Sequence, residues 1–355
     1  MAETRARLRD LGIALGSLPP GPLNAITDVE GVLVGQETII RGEGRLRPGV
    51  GPVRTGVTVI RPHPGNLFRE KVLAATHVLN GAGAMVGRTL VDELGVLDTP
   101  IFLTNTLNVG LVYDAAVQAS CEESPEIGIT APSIIPLVAE CDDSFLNDLQ
   151  GRHVRAEHVK AALSRARGGL VEEGAVGAGT GMACYEFKGG IGSSSRRTAG
   201  GHTVGVLVLA NHGAREHLRV GGVPVGLQIP DRRPQRAGEG SIIMVVATDA
   251  PLASSQLRRL AVRAGLGLAR TGSTARDGSG DISIAFSTAQ RIGEGADVTL
   301  RMTAEVNPLF QATVEATEEA ILNALTAAVT MTGRDGNTVH ALPLDRLRDL
   351  VAPAH

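Results

Sequence analysis

The sequence predicts an α/β protein in which sheets are layered with helices, and three observations carry that expectation. Short runs rich in β-branched residues are mixed through the chain with longer runs of helical apolar spacing. Glycine is abundant, 45 of 355 residues, and gathers in clusters, as it does where backbones approach closely or take positive φ. Aromatic residues make up only 2% and tryptophan is absent, so the core must be built from Val, Leu, Ile and Ala.

The expected strands cover residues 56–60, 127–130, 203–209, 241–247, 282–286 and 298–302, each short and apolar. Helices are expected over 85–94, 155–165, 254–268 and 308–331. The third carries Leu257, Leu260, Ala261, Ala264 and Leu268 on one face, with Ser254 as its N-cap. The fourth has Asn307 before Pro308 at its start. A chain of this length holds one large domain or two ordinary ones.

Composition excludes several functions. A formal charge of −3 argues against nucleic-acid and anionic-membrane partners, which favour a basic stripe. No apolar run is long enough to span a bilayer. The opening segment, Met1 to Arg9, is charged and unlike a signal peptide, so a cytoplasmic protein is expected. Cys121, Cys141 and Cys184 form no C-x-x-C pair and read as small core residues. His63, His77, His153 and His158 lack metal-ligand spacing, and no metal or other cofactor is expected. The glycine clusters at 81–84, 174–181 and 189–192 match neither the dinucleotide fingerprint nor the P-loop.

One stretch stands apart. Residues 221–240 are rich in Gly, Pro and Arg, and the chain then switches abruptly into Ser241-Ile242-Ile243-Met244-Val245-Val246. A surface loop leading into a core strand reads the same way. A Gly240-Ser241 junction also permits chemistry. The serine hydroxyl can attack the unshielded glycine carbonyl, shift the chain to an ester and let water cut it. The freed serine then carries a nucleophile and, in its α-amine of pKa near ~8, a base.

The string from Gly238 to Leu252 resembles the cleavage site of the DmpA-type L-aminopeptidase/D-esterase family, which includes the β-peptidyl aminopeptidases. Four further blocks are similar and fall in order: residues 24–35, the glycine-rich block 179–196, Ala210-Asn211-His212-Gly213, and residues 278–288. The resemblance covers nearly the whole chain. It implies a four-layer α/β/β/α sandwich, like that of ornithine acetyltransferase and akin to the N-terminal-nucleophile hydrolases. It implies a single catalytic domain over residues 1–355, self-cleaved into an α chain, 1–240, and a β chain, 241–355, and assembled as a tetramer of αβ pairs. The substrate would be a small peptide, amide or ester with a free amine. An oligoamide hydrolase and a non-peptidase acyltransferase on the same fold are the alternatives.

The same resemblance assigns roles. Ser241 is the expected nucleophile. Asn211 is the expected oxyanion donor, suited because its amide has no proton to lose. Ser279 and Asp281 are expected beside the nucleophile, where the carboxylate orients the hydroxyl and favours the protonated amine. Glu140 is the expected partner of the substrate ammonium. Around Glu140 the chain departs from the family: Asp142 and Ser144 stand where aromatic or Gly residues are common, and the oxyanion-side Tyr of some members is missing. His212 reads as structural, since a serine with its own amine needs no imidazole.

Overall fold

The computed structural model describes residues 4–235, 240–293 and 299–351. The first half carries β1 (Leu33–Arg41), β2 (Val53–Arg61), β3 (Glu70–Gly81), β4 (Met85–Val86), α1 (Arg88–Leu94), β5 (Val96–Leu97), β6 (Ile101–Asn105), α2 (Val109–Glu123), β7 (Leu137–Cys141) and α3 (Ala156–Ser164). A small hairpin follows, β8 (Ala183–Cys184) and β9 (Phe187–Lys188), then β10 (Gly190–Arg197), β11 (Thr203–Asn211) and the short α4 (Val225–Gln228). The last third holds β12 (Ser241–Thr248), α5 (Ser254–Arg270), β13 (Gly280–Gly293), α6 (Asn307–Ala327), a hairpin of β14 (Met331–Thr332) and β15 (Thr338–Val339), and α7 (Leu344–Val351).

Two large sheets form, in the orders β1-β2-β6-β7-β4 and β10-β11-β12-β13-β3-β5. Strand alternation sorts their side chains into layers. On β11, Leu207 and Leu209 enter the space between the sheets, while Val206 and Val208 face the helices. On β12, Ile243 and Val245 face inward, whereas Ile242, Met244 and Val246 meet the Leu257, Leu260 and Ala264 face of α5. Beyond the first sheet, Val57, Val59 and Phe102 pack on Val112 and Ala115 of α2 and Val159 and Ala162 of α3. Helix, sheet, sheet, helix gives the four-layer α/β/β/α sandwich that the resemblance implied. Both faces of the central strands are covered, which is why they read as unbroken apolar runs.

Close approach explains the glycines. A Cβ on Gly192 would lie 1.9 Å from the Ala320 carbonyl oxygen, so only glycine lets α6 lie against β10. Buried charge secures the same contact: the Arg196 guanidinium reaches Glu319 at 2.6 Å and Glu315 at 3.3 Å, both on α6. The 24–35 block serves this region too. Asn24 donates from Nδ2 to Glu319, while its Oδ1 accepts from the Ser195 amide and the Ser194 hydroxyl.

Several expectations are corrected. Residues 127–130 form a turn, because Gly128 takes φ +72° and the amides of Ile129, Thr130 and Ala131 all converge on the Glu126 carbonyl. Of the strand expected over 298–302, Val298 lies outside the described residues and 299–302 have no regular structure. Met85 and Val86 pair with β7, and the helix begins only at Arg88, after Gly87 at φ +91°. The long helix stops at Ala327, since Met331 is drawn into a hairpin with Val339. Ala253 occupies the N-cap of α5, and Ser254 instead donates its hydroxyl to the Gly95 carbonyl. Cys121 is half-buried, whereas Cys141 and Cys184 are core residues as expected. Among the described residues, no helix is long and apolar enough to cross a membrane.

Candidate active site

Ser241 is the first residue of β12, at the end of the sheet where β11 finishes and β13 begins. It sits directly across from Asn211 on the antiparallel side and from Gly280 on the parallel side. Its hydroxyl accepts the Gly280 amide at 3.2 Å, and the residue is 7% exposed. The preceding Gly240 has no room for a side chain: a Cβ there would lie 2.0 Å from the Asn211 carbonyl oxygen. Glycine at that position is therefore a packing requirement.

Asn211 is fixed from both ends of its amide. Oδ1 accepts the Ala183 backbone N–H at 2.8 Å, and Nδ2 donates to the Asp142 carbonyl at 2.9 Å. Accepting a backbone N–H settles which end of the amide is oxygen. Nδ2 has two hydrogens, so one donor remains after the bond to Asp142.

Ser279 and Asp281 flank Gly280, the register partner of Ser241. The Ser279 hydroxyl donates to Asp281 Oδ1 at 2.6 Å. Asp281 Oδ2 is buried with no hydrogen-bond partner. Burial pushes the Asp281 carboxyl above the usual carboxylate range, and the Ser279 hydrogen bond partly offsets this. An orphaned carboxylate oxygen costs roughly 1–3 kcal/mol or more, so its retention beside the register partner of Ser241 calls for a function.

Glu140 lies one residue before the end of β7 as a buried carboxylate, neither a helix cap nor a surface residue. One oxygen accepts the Ala84 amide at 2.7 Å and the other accepts the Thr106 hydroxyl in a short contact. Burial raises its carboxyl above the ordinary range, and those two hydrogen bonds pull it back in part. The Gly81-Ala82-Gly83-Ala84 cluster links it to the register partner of Ser241, since the Cα atoms of Gly83 and Gly280 pack together with no space for a Cβ on either. Sequence reading missed Ala84 and Thr106 as its partners; the glycine cluster was the one signal pointing there.

His212 is fully enclosed. Its ring meets Tyr185 edge-on at 5.0 Å and lies beside the Cys184 sulfur, and burial pulls its pKa down to about 3. A neutral imidazole packed on a ring and a thiol fits the structural reading.

Beside Gly240 and Asn211 opens a cavity of about 730 Å³. Asp142, Phe145, Glu186, Gln235, Arg334 and Asn337 are among its lining residues. Phe145 gives it a phenyl side chain, with no hydroxyl to offer an oxyanion.

Residues 24–339 match the family model described as peptidase family S58. The chain belongs to peptidase family S58. A β-peptidyl aminopeptidase, BapA, of Sphingosinicella xenopeptidilytica is 45% identical over 363 residues, covering 96% of this chain and 90% of that protein. A solved structure of a Pyrococcus horikoshii OT3 protein superposes with a TM-score of 0.92 at 51% identity, covering 97% of this chain and 98% of the other. The L-aminopeptidase D-Ala-esterase/amidase of Ochrobactrum anthropi, described as a prototype for the serine aminopeptidases and a variant of the Ntn hydrolase fold, gives 0.91 at 40%, covering 97% and 98%. This S58 chain is accordingly a serine aminopeptidase or amidase, a peptide-bond hydrolase with the Ntn-type layered sandwich.

Proposed function

We propose that the chain cuts itself between Gly240 and Ser241 and then uses Ser241 as an N-terminal nucleophile on short peptides, amides or esters that carry a free amine. The observation that carries this reading is a Gly-Ser junction at the head of a buried strand, with Asn211 opposite it and the Ser279–Asp281 pair flanking its other partner. In the first reaction the Ser241 hydroxyl adds to the Gly240 carbonyl, the C–N bond breaks, and water hydrolyses the resulting ester. The products are a Gly240 carboxylate and a free Ser241 amine.

In turnover that amine accepts the hydroxyl proton as Ser241 attacks the substrate carbonyl. The free hydrogen on Asn211 Nδ2 donates to the oxyanion. Asp281, oriented through Ser279, favours the ammonium that forms, and the ammonium then protonates the departing amine. Water finally releases the acyl group from Ser241. Glu140 receives the substrate's own ammonium, which restricts cleavage to the N-terminal residue. The β-peptidyl name of the 45%-identical relative suggests that peptides beginning with β-amino acids are among the substrates. The processed enzyme is a tetramer of αβ pairs, one catalytic domain in each pair. Its unpaired cysteines suit the reducing cytoplasm.

A panel of L-, D- and β-aminoacyl p-nitroanilides, assayed with purified wild type and Ser241→Ala, tests the reading. Hydrolysis by the wild type alone is expected. Equal hydrolysis by both proteins would remove Ser241 from the mechanism.

A further inference from the structure

The cavity beside Gly240 contains a cation that the proposed reaction does not use. Arg334 lies between β14 and β15, in the loop from Gly333 to Asn337. This loop is docked by its backbone. The Arg334 amide donates to the Leu146 carbonyl at 2.9 Å, the Asp335 amide to the Gly44 carbonyl at 2.8 Å, and Asn337 Nδ2 to the Phe145 carbonyl at 2.8 Å. A Cβ on Gly333 would lie 2.0 Å from the Leu146 carbonyl oxygen, so the loop fits there only through glycine. Arg334 thus lines the same cavity as Asn211 and Gly240.

One edge of its guanidinium is unsatisfied. Nε is buried without a hydrogen-bond partner, and the side chain makes no ion pair among the described residues. The two carboxylates that share the cavity are otherwise engaged. Glu186 faces Arg233 at 3.7 Å, and Asp142 Oδ1 accepts the Ser144 amide at 2.6 Å. A planar fork of N–H donors that lines a cavity, with Nε unpartnered among the described residues, matches a carboxylate.

We propose that Arg334 is a specificity-determining residue that binds the free C-terminal carboxylate of a short peptide substrate. The inference rests on Ser241 as nucleophile, and it names the substrate class: peptides of two or three residues with a free acid, in preference to amides and longer chains. Glu140 holds the amine at one end and Arg334 the acid at the other. The carbonyl under attack lies between them, and the departing residue occupies the cavity.

The test uses the processed enzyme and three substrates with the same acyl residue, the one cleaved best as its p-nitroanilide: that anilide, its dipeptide with leucine, and the leucinamide counterpart. Wild type should show a KM for the free acid lower than for the amide by about tenfold or more, the size of a charge-assisted contact. Arg334→Gln should abolish that preference while leaving the amide and anilide within about twofold of wild type, and Arg334→Lys should restore part of it. The carboxylate freed at Gly240 is the competing occupant. If it fills the site, Arg334→Gln changes acid and amide equally, and that result overturns the proposal, as does a wild type that treats acid and amide alike. A wild type inactive on every anilide breaks the Ser241 reading instead. Calorimetric binding of leucine against leucinamide, to wild type and Arg334→Gln, then decides the Arg334 assignment without turnover. Tighter binding of leucine, lost in the variant, supports it; equal binding overturns it.

Discussion

Asn211, the last residue of β11, lies directly opposite Ser241, the first residue of β12, so a candidate oxyanion donor and a candidate nucleophile are register partners in one antiparallel pair. Their spacing is set by the ladder rather than by a mobile loop. A geometry of that kind favours catalysis by orientation, because both groups are in place before substrate arrives.

Processing is the first expected outcome. The chain should split into fragments of 240 and 115 residues (355 − 240 = 115), with Ser241 at the new N-terminus. Intact mass spectrometry over time reads this directly. Ser241→Ala should fold, stay whole and lack activity. A wild-type chain that remains uncut yet turns over at full rate would contradict the mechanism, since an amine locked in a peptide bond cannot act as a base.

Asn211→Ala should lower turnover by about 10²–10³-fold, the usual loss for one oxyanion donor. It should also slow processing, which passes through a tetrahedral intermediate at the adjacent carbonyl. The bonds from Ala183 and to Asp142 would be lost as well, so the melting temperature must be measured alongside the rate. A folded variant with near-normal turnover would place the donor elsewhere.

Glu140→Gln should weaken kcat/KM for free-amine substrates by roughly 1.5–3 kcal/mol and leave processing untouched. N-acetylated substrates should be poor for both proteins. Because burial raises the Glu140 carboxyl, the acid limb it imposes on free-amine substrates should lie above the ordinary glutamate range, and the limb should vanish in the glutamine variant. If the ratio of free-amine to acetylated substrate does not change, Glu140 is a bystander.

Asp143 supplies a stability prediction independent of activity. It is fully buried, accepting the Thr55 hydroxyl at 2.6 Å and Asn147 Nδ2 at 2.9 Å, and burial pushes its pKa up to about 7 from an ordinary 3.8. The folded protein therefore holds this proton more tightly than the unfolded chain does. Its stabilising contribution is whole below about pH 4 and is lost as pH rises toward 7. Between those limits wild type should lose melting temperature relative to Asp143→Asn, which cannot titrate, by roughly a few degrees. Parallel pH profiles for the two proteins would rule this out.

Part of the candidate site is legible in the sequence because some of its signals are local, while the roles of Asn211, Ser279, Asp281 and Glu140 came only from the family resemblance. Gly240 followed by Ser241 and a buried apolar run marks a strand head, and the Ser279-Gly280-Asp281 triplet keeps its three residues adjacent in any fold. Alternation on β11 and β12 follows from side-chain period alone, and so does the apolar face of α5. Tertiary structure decided what local signals cannot encode. Pairing of β11 with β12 and of β12 with β13 brought Asn211 and Gly280 to Ser241 from 30 and 39 residues away. Glu140 found its ligands, Ala84 and Thr106, only once β4, β6 and β7 shared a sheet. Residues 127–130 carry a strand-like composition, but they join neither large sheet, and the Glu126 carbonyl collects the amides of Ile129, Thr130 and Ala131 in a turn. Arg334, in a stretch that reads as an ordinary glycine-rich loop, became a wall of the cavity because Gly333 allowed that loop to pack against Leu146. Period and propensity act over a few residues, whereas register and close backbone approach are fixed only when distant segments meet.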